Sequence, residues 1–218
     1  MIARLRRRTR PNSESGYTLI ETMVAMMLLS VVLAAAFGVV SRMQRGVMIT
    51  TNRFTAEGEA QTIADRITKD LRAAVTTSAT GAAFASADVN DVTFYANLAD
   101  PTGPTKLHAY LTQQAGTNVY LFHEDATPPD AGGSTGNYSY SGAPSTRIDG
   151  KYLDTSQPMF SYFDANNAAL TTPITTTAGL KSIDSVGINL RVRVTPSSPI
   201  VVINTTVHVR NTDYNPNT

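Results

Sequence analysis

Residues 16–33 read GYTLIETMVAMMLLSVVL, and the fold turns on one charge, Glu21, inside this apolar run. An ionised carboxylate in a spanning helix costs roughly 2.5–3.5 kcal/mol on insertion scales, so such a residue is ordinarily paired and functional. The twenty residues Thr22–Ser41 carry no charge and are closed by Arg42. That is about the length needed to cross a ~30 Å hydrocarbon core as a helix. Five arginines precede the run, Arg4, Arg6, Arg7, Arg8 and Arg10. The positive-inside bias holds them in the cytoplasm and places everything after Arg42 outside it.

The rest of the composition narrows the field. A chain of 218 residues allows one moderate globular domain with an appendage. Cysteine is absent, which removes thiol nucleophiles, disulfides and thiolate metal sites and leaves the redox compartment open. The net charge of +1 conceals an asymmetry, because the first sixteen residues hold five arginines and one acid, Glu14. Without them the chain is mildly acidic, so bulk charge offers no support for a nucleic-acid surface.

Two readings compete for the N-terminus. The first is an ordinary export signal: a basic region, an apolar region, and Ala34, Ala35 and Ala36 offering an A-x-A cleavage site. A twin-arginine variant fits less well, since Thr9, Arg10 and Pro11 stand where an apolar pair is wanted. The second reading gives Glu21 a purpose, which a discarded peptide does not. Beyond the span, Met43, Val47, Phe54, Ala56, Ala60, Ile63, Ile67, Leu71 and Ala74 recur mostly at intervals of three and four, the mark of one helical face. Asp65 with Lys69 and Arg66 with Asp70 place opposite charges four apart. Proline is absent from Tyr17 to Asp100, and Gly38, Gly46 and Gly58 bend a helix without ending it. The pattern predicts one helix from Tyr17 to about Thr77, its first half in membrane (17–41) and its amphipathic second half (42–78) against a domain.

Gly16, Tyr17, Thr18, Leu19, Ile20 and Glu21, behind an arginine-rich leader and before an apolar helix, resemble the class III signal of type IV pilins and type II secretion pseudopilins. The resemblance implies removal of residues 1–16 by a prepilin peptidase that cuts after Gly16. It also implies methylation of the new terminus at Tyr17 and an assembly role for Glu21. Tyrosine departs from the phenylalanine commonest after the cut. Removing the leader exposes an α-amino group of reference pKa about 7.7–8.0. In a bundle of such helices, Glu21 of one subunit can meet the terminal amine of a neighbour, each offsetting the other's desolvation.

After Thr77 the period changes from 3.6 to 2. Val92, Phe94 and Ala96 alternate with Thr93 and Tyr95; Leu107, Ala109 and Leu111 alternate with His108 and Tyr110; Val119 and Leu121 follow a Gly116–Asn118 turn. The strongest alternation is Val186, Ile188, Leu190, Val192 and Val194, then Val201, Ile203, Thr205, Val207 and Val209, across a proline-bounded connection. It predicts a long hairpin at the centre of a sheet. The expected fold is α+β and pilin-like, a long helix packed on an antiparallel sheet of four to six strands over 79–218, with a long loop at 124–150. PMFSYFDANNAAL, from Pro158 to Leu170, is similar to the aromatic strand and turn of J-type minor pseudopilins and W-type minor pilins, as is ADRITKDLRAA (Ala64–Ala74).

Other constellations carry little chemistry. Gly132 to Gly136 spell G-x-S-x-G around Ser134, but a nucleophile elbow needs a strand before and a helix after, and this run sits in low-complexity sequence. His108, His123 and His208 fall on separate strands. Asp164 and Asn166 are weak calcium candidates, better explained by an Asx turn. The expectation is therefore a structural minor pilin or pseudopilin with no catalytic residues and no cofactor. Its partners would be the peptidase, other pilins or minor pseudopilins and the inner membrane, with no clear nucleic-acid binding and no small-molecule substrate. A membrane-anchored or exported β-rich binding domain is the alternative.

Overall fold

The computed structural model describes residues 18–78, 81–98, 100, 102–114, 120–131, 133, 137–195 and 198–209. The leader, Gly16, Tyr17, the 116–119 turn and Ser134 lie outside the described residues. The chain divides into two compact units, Met1–Val47 and Met48–Thr218. One helix, α1 (Leu19–Arg72), contributes to both.

In the first unit every described residue is exposed, including Leu19, Met26, Met27, Phe37 and Val39. The helix here is apolar around its whole circumference, a pattern that suits hydrocarbon or a helix bundle. By length and composition it is able to cross a membrane.

In the second unit α1 has a buried face made of Ala56, Ala60, Ile63, Ala64, Ile67 and Leu71. Ile63, Ile67 and Leu71 are each worth roughly 1.5–3 kcal/mol on full burial. The apolar face read from the sequence is only partly right. Met43, Val47 and Phe54 are 71%, 60% and 68% exposed, because a helix turns about 100° per residue and the step from Phe54 to Ala56 carries the stripe to the opposite side. The helix also stops at Arg72 instead of Thr77. Val75 N donates to Tyr95 O (2.8 Å) and Asn97 N to Ala73 O (2.9 Å), so the chain leaves the helix straight into pairing with the sheet.

Among the described residues the sheet has eight strands rather than four to six. They are β1 (Phe84–Ala87), β2 (Asp91–Ala96), β3 (Thr105–Gln113), β4 (Tyr120–Thr127), β5 (Ser145–Leu153), β6 (Phe160–Phe163), β7 (Ser185–Val192) and β8 (Val201–His208), with a short helix α2 (Thr177–Lys181) before β7. All pairings between them are antiparallel. β1 to β5 follow in order, and β7 has β8 on one side and β6 with the end of β5 on the other. The predicted hairpin forms, its register running from Ser185↔His208 to Val192↔Val201. Val186, Ile188, Leu190 and Val192 are fully buried in the same core as Val92, Phe94, Leu107, Ala109 and Phe122.

The expected 124–150 loop is shorter. Its ends belong to β4 and β5, leaving 128–144 as the connection. Asp130 ties that connection to itself, accepting from Ser139 Oγ (2.6 Å), Ser141 N (3.1 Å) and Ser141 Oγ (3.0 Å). These bonds, Ser139 foremost, hold its carboxyl below the ordinary range. Tyr140 then donates to Pro104 O (2.8 Å) and lays its ring 5.4 Å from that of Tyr95. Gly103, at φ 134°, leaves room for the Tyr138 ring where a side chain would collide.

Candidate functional site

Thr18 starts the helix. Its carbonyl accepts from the amides of Glu21 (3.0 Å) and Thr22 (3.2 Å), and its hydroxyl lies 3.4 Å from the Glu21 amide. Glu21 is the acidic residue of the first turn. A carboxylate there gains about 0.3–1 kcal/mol from the helix dipole, far less than burial in hydrocarbon would cost. The hydroxyls nearby are satisfied within the helix, Thr22 donating to Leu19 O (2.8 Å) and Ser30 to Met27 O (2.7 Å). A carboxylate only accepts, so it has no comparable use for a backbone carbonyl. Among the described residues the Glu21 side chain has neither hydrogen bond nor ion pair. A cation from outside its own helix is what this arrangement can bind.

The other sequence candidates resolve into structural roles. Asp164 Oδ1 accepts from the amides of Asn166 (2.9 Å) and Ala168 (2.8 Å), and Asn167 takes φ 62°. This is an Asx turn closing the segment after β6. Among the described residues no group of three or more metal-ligating side chains gathers in one place. The G-x-S-x-G run around Ser134 lies, except for Gly133, outside the described residues.

Two clusters were not legible beforehand. His108 and His123 come together on neighbouring strands with the Tyr110 ring between them, centroids 4.3 and 5.2 Å away. His108 Nε2 is 2.9 Å from Asp91 Oδ2, and Tyr110 donates to Asp125 Oδ2 (3.2 Å). Burial first, then Asp125, pushes the Tyr110 phenol upward. Only the register Tyr110↔His123 brings these rings together. The second cluster joins helix to sheet: Arg66, predicted to pair with Asp70, lies 3.8 Å from it but makes closer bonds to Glu124, 2.9 Å from both Nε and Nη2. Glu124 is 4% exposed.

Comparison with known families adds one finding. Residues 11–37 match the prokaryotic N-terminal methylation motif. The matched stretch contains Gly16, Tyr17 and Glu21, and it supports a type IV pilin-like or pseudopilin role, with prepilin peptidase processing and pilin partners in general. No curated protein matches the sequence.

Proposed function

We propose that this chain is a minor pilin or pseudopilin subunit, cut after Gly16, N-methylated on Tyr17 and joined to neighbouring subunits through Glu21. The observation that carries this is Glu21 itself, a carboxylate in the first turn of a helix whose next twenty residues, Thr22–Ser41, carry no charge, unanswered by any described side chain. Hydrolysis of the Gly16–Tyr17 bond would free an amine one turn from Glu21. Methylation leaves that amine able to carry charge. Its own Glu21 and a neighbour's then compete for it, and a bundle of parallel helices places the neighbour's within reach.

The subunit sits in the inner membrane as a single pass, with the sheet outside the cytoplasm, until it enters a filament or the complex that initiates one. The minor-subunit class, of J or W type, is supported by the aromatic strand β6, the Asp164 turn that follows it and the valine-rich β7.

Substitution Glu21→Gln tests the proposal. It keeps the shape and removes the charge, leaving a neighbour's amine uncompensated. Breaking a buried pair from one side costs about 3–5 kcal/mol, more than a hundredfold in association at about 1.4 kcal/mol per decade. The variant should insert and fold but fail to co-purify with partner pilins. Undiminished incorporation refutes the role of Glu21. A mature N-terminus after Ala36, instead of at Tyr17, refutes the class altogether.

A further inference from the structure

We infer that the outer edge of β8 is a strand-addition site, and that its occupant is an extended segment of a neighbouring subunit joining the sheet beside it. β8 pairs with β7 over eight consecutive residues with no shift of register. Asn189 N donates to Met159 O and Asp154 N to Arg191 O, so odd-numbered β7 residues turn their backbone groups toward β6 and β5. The even-numbered ones therefore bond β8, where they face Val201, Ile203, Thr205 and Val207. Val202, Asn204, Thr206 and His208 are left directing amides and carbonyls outward. Among the described residues no backbone group meets them.

The other free edges are covered or blunted. Ala87 of β1 exchanges backbone bonds with Ile174 (3.3 and 2.8 Å), and Tyr162 O of β6 accepts from Leu170 N (2.8 Å). Among the described residues β5 meets β7 at Leu153 alone. However, its pairing with β4 shifts register twice. Bulges of this kind keep an edge from recruiting foreign strands. Between Val201 and Val207 there is no charge, no proline and no bulge.

The edge specifies its ligand. Donors and acceptors repeat every second residue, about 6.8 Å apart, which is the spacing of another peptide backbone. Val201 and Ile203 are half-buried and continue the core surface, so the incoming strand would place apolar side chains at alternate positions above them. That the strand belongs to a neighbouring subunit rests on the proposed function; the edge does not.

The test uses the full chain in detergent micelles, with amide hydrogen exchange followed residue by residue over 201–208. The probe is a blocked synthetic peptide of the β7 sequence, SVGINLRV. Without peptide, the amides of Val202, Asn204, Thr206 and His208 should exchange about a hundredfold faster than those of Ile203, Thr205 and Val207. Millimolar peptide should slow them, and a peptide with proline in place of its asparagine should not. Asn204→Pro removes an outward donor while sparing the β7 ladder and should abolish the response; Thr206→Lys should do the same if the proline disturbs the hairpin. Outward amides already slow in dilute protein would mean the chain's own residues 210–218 cover the edge. That result, or no response to peptide, overturns the inference. Protection rising with protein concentration supports it, the neighbouring subunit then being a second copy of this chain. Glu21→Gln should leave the peptide response unchanged, which separates this test from the assembly test.

Discussion

Replacing Arg66 by methionine removes the cation against which Glu124 is buried. The guanidinium approaches Glu124 Oε1 at 2.9 Å through both Nε and Nη2 and lies 3.8 Å from Asp70. Both carboxylates are nearly inaccessible to water, at 4% and 6% exposure. Losing one partner of a buried pair costs about 3–5 kcal/mol, since the remaining charge stays desolvated. Two features favour the lower end. The Arg66 side chain is itself 31% exposed, and Arg147 stands opposite Glu124 in the β4–β5 register as a second cation.

A loss of about 3 kcal/mol, in a unit spanning Met48–Thr218, corresponds to a fall in Tm of roughly 6–12 °C. Near-ultraviolet circular dichroism of the detergent-solubilised chain would follow it. The double variant Arg66→Met with Glu124→Leu replaces the pair by apolar groups and should recover most of the loss. The coupling between the two sites is then read from the cycle. A single-variant loss below about 1 kcal/mol, or strict additivity in the double, would falsify the claim that this pair joins helix to sheet.

Further outcomes follow from other residues. Gly16→Val should block the peptidase, so mass spectrometry of the membrane-extracted variant should find residues 1–16 still attached. A phosphatase active only outside the cytoplasm, fused after Thr218, should be active; a stable but inactive fusion contradicts the orientation. Asp154 bonds Ser156, Arg191 and Arg193, and its carboxyl is lowered from 3.8 to about 2, Ser156 being the largest cause. Because the folded value is the depressed one, its contribution is complete above pH 3.8 and lost as pH falls toward 2. With allowance for solvent at this site the contribution is on the order of 1–2 kcal/mol. The gap in unfolding free energy between the native chain and Asp154→Asn should therefore be open at pH 5 and nearly closed at the acid end.

What could be read from the sequence followed from local periodicity. The β7–β8 hairpin was legible because Val186–Val192 and Val201–Val207 alternate without interruption, and each strand's burial is decided by its own side chains. β5 was not, because STRIDGKYL has no apolar alternation and is a strand only by virtue of pairing with β4. β1, made largely of small residues, gives an equally faint signal. The helix was over-read where spacing alone was used, since Phe54 and Ala56 are both apolar yet lie on opposite sides of α1. At the candidate site, Glu21 was visible as a charge in the wrong solvent. The His108, Tyr110 and His123 stack and the Arg66–Glu124 pair depend on residues far apart in the chain, and no local pattern announces them.

Glu21 and Glu124 pose the same physical problem under different constraints. A carboxylate taken from water needs a cation and donors close by, or its desolvation remains uncompensated. Glu124 is answered inside its own chain, by a guanidinium delivered from α1 as the helix docks on β4, so its ion pair belongs to folding. Glu21 stands on a helix whose described neighbours offer it no donor, and the turns around it from Thr22 to Ser41 contain no cation at all. On the proposed reading its answer arrives only with another subunit, so the same energy belongs to association. A carboxylate left unmatched in this way would disfavour the isolated subunit in hydrocarbon and favour any arrangement that presents a terminal amine. Glutamine at this position, by removing the penalty, should make the lone subunit more comfortable in the membrane while depriving it of the reason to leave.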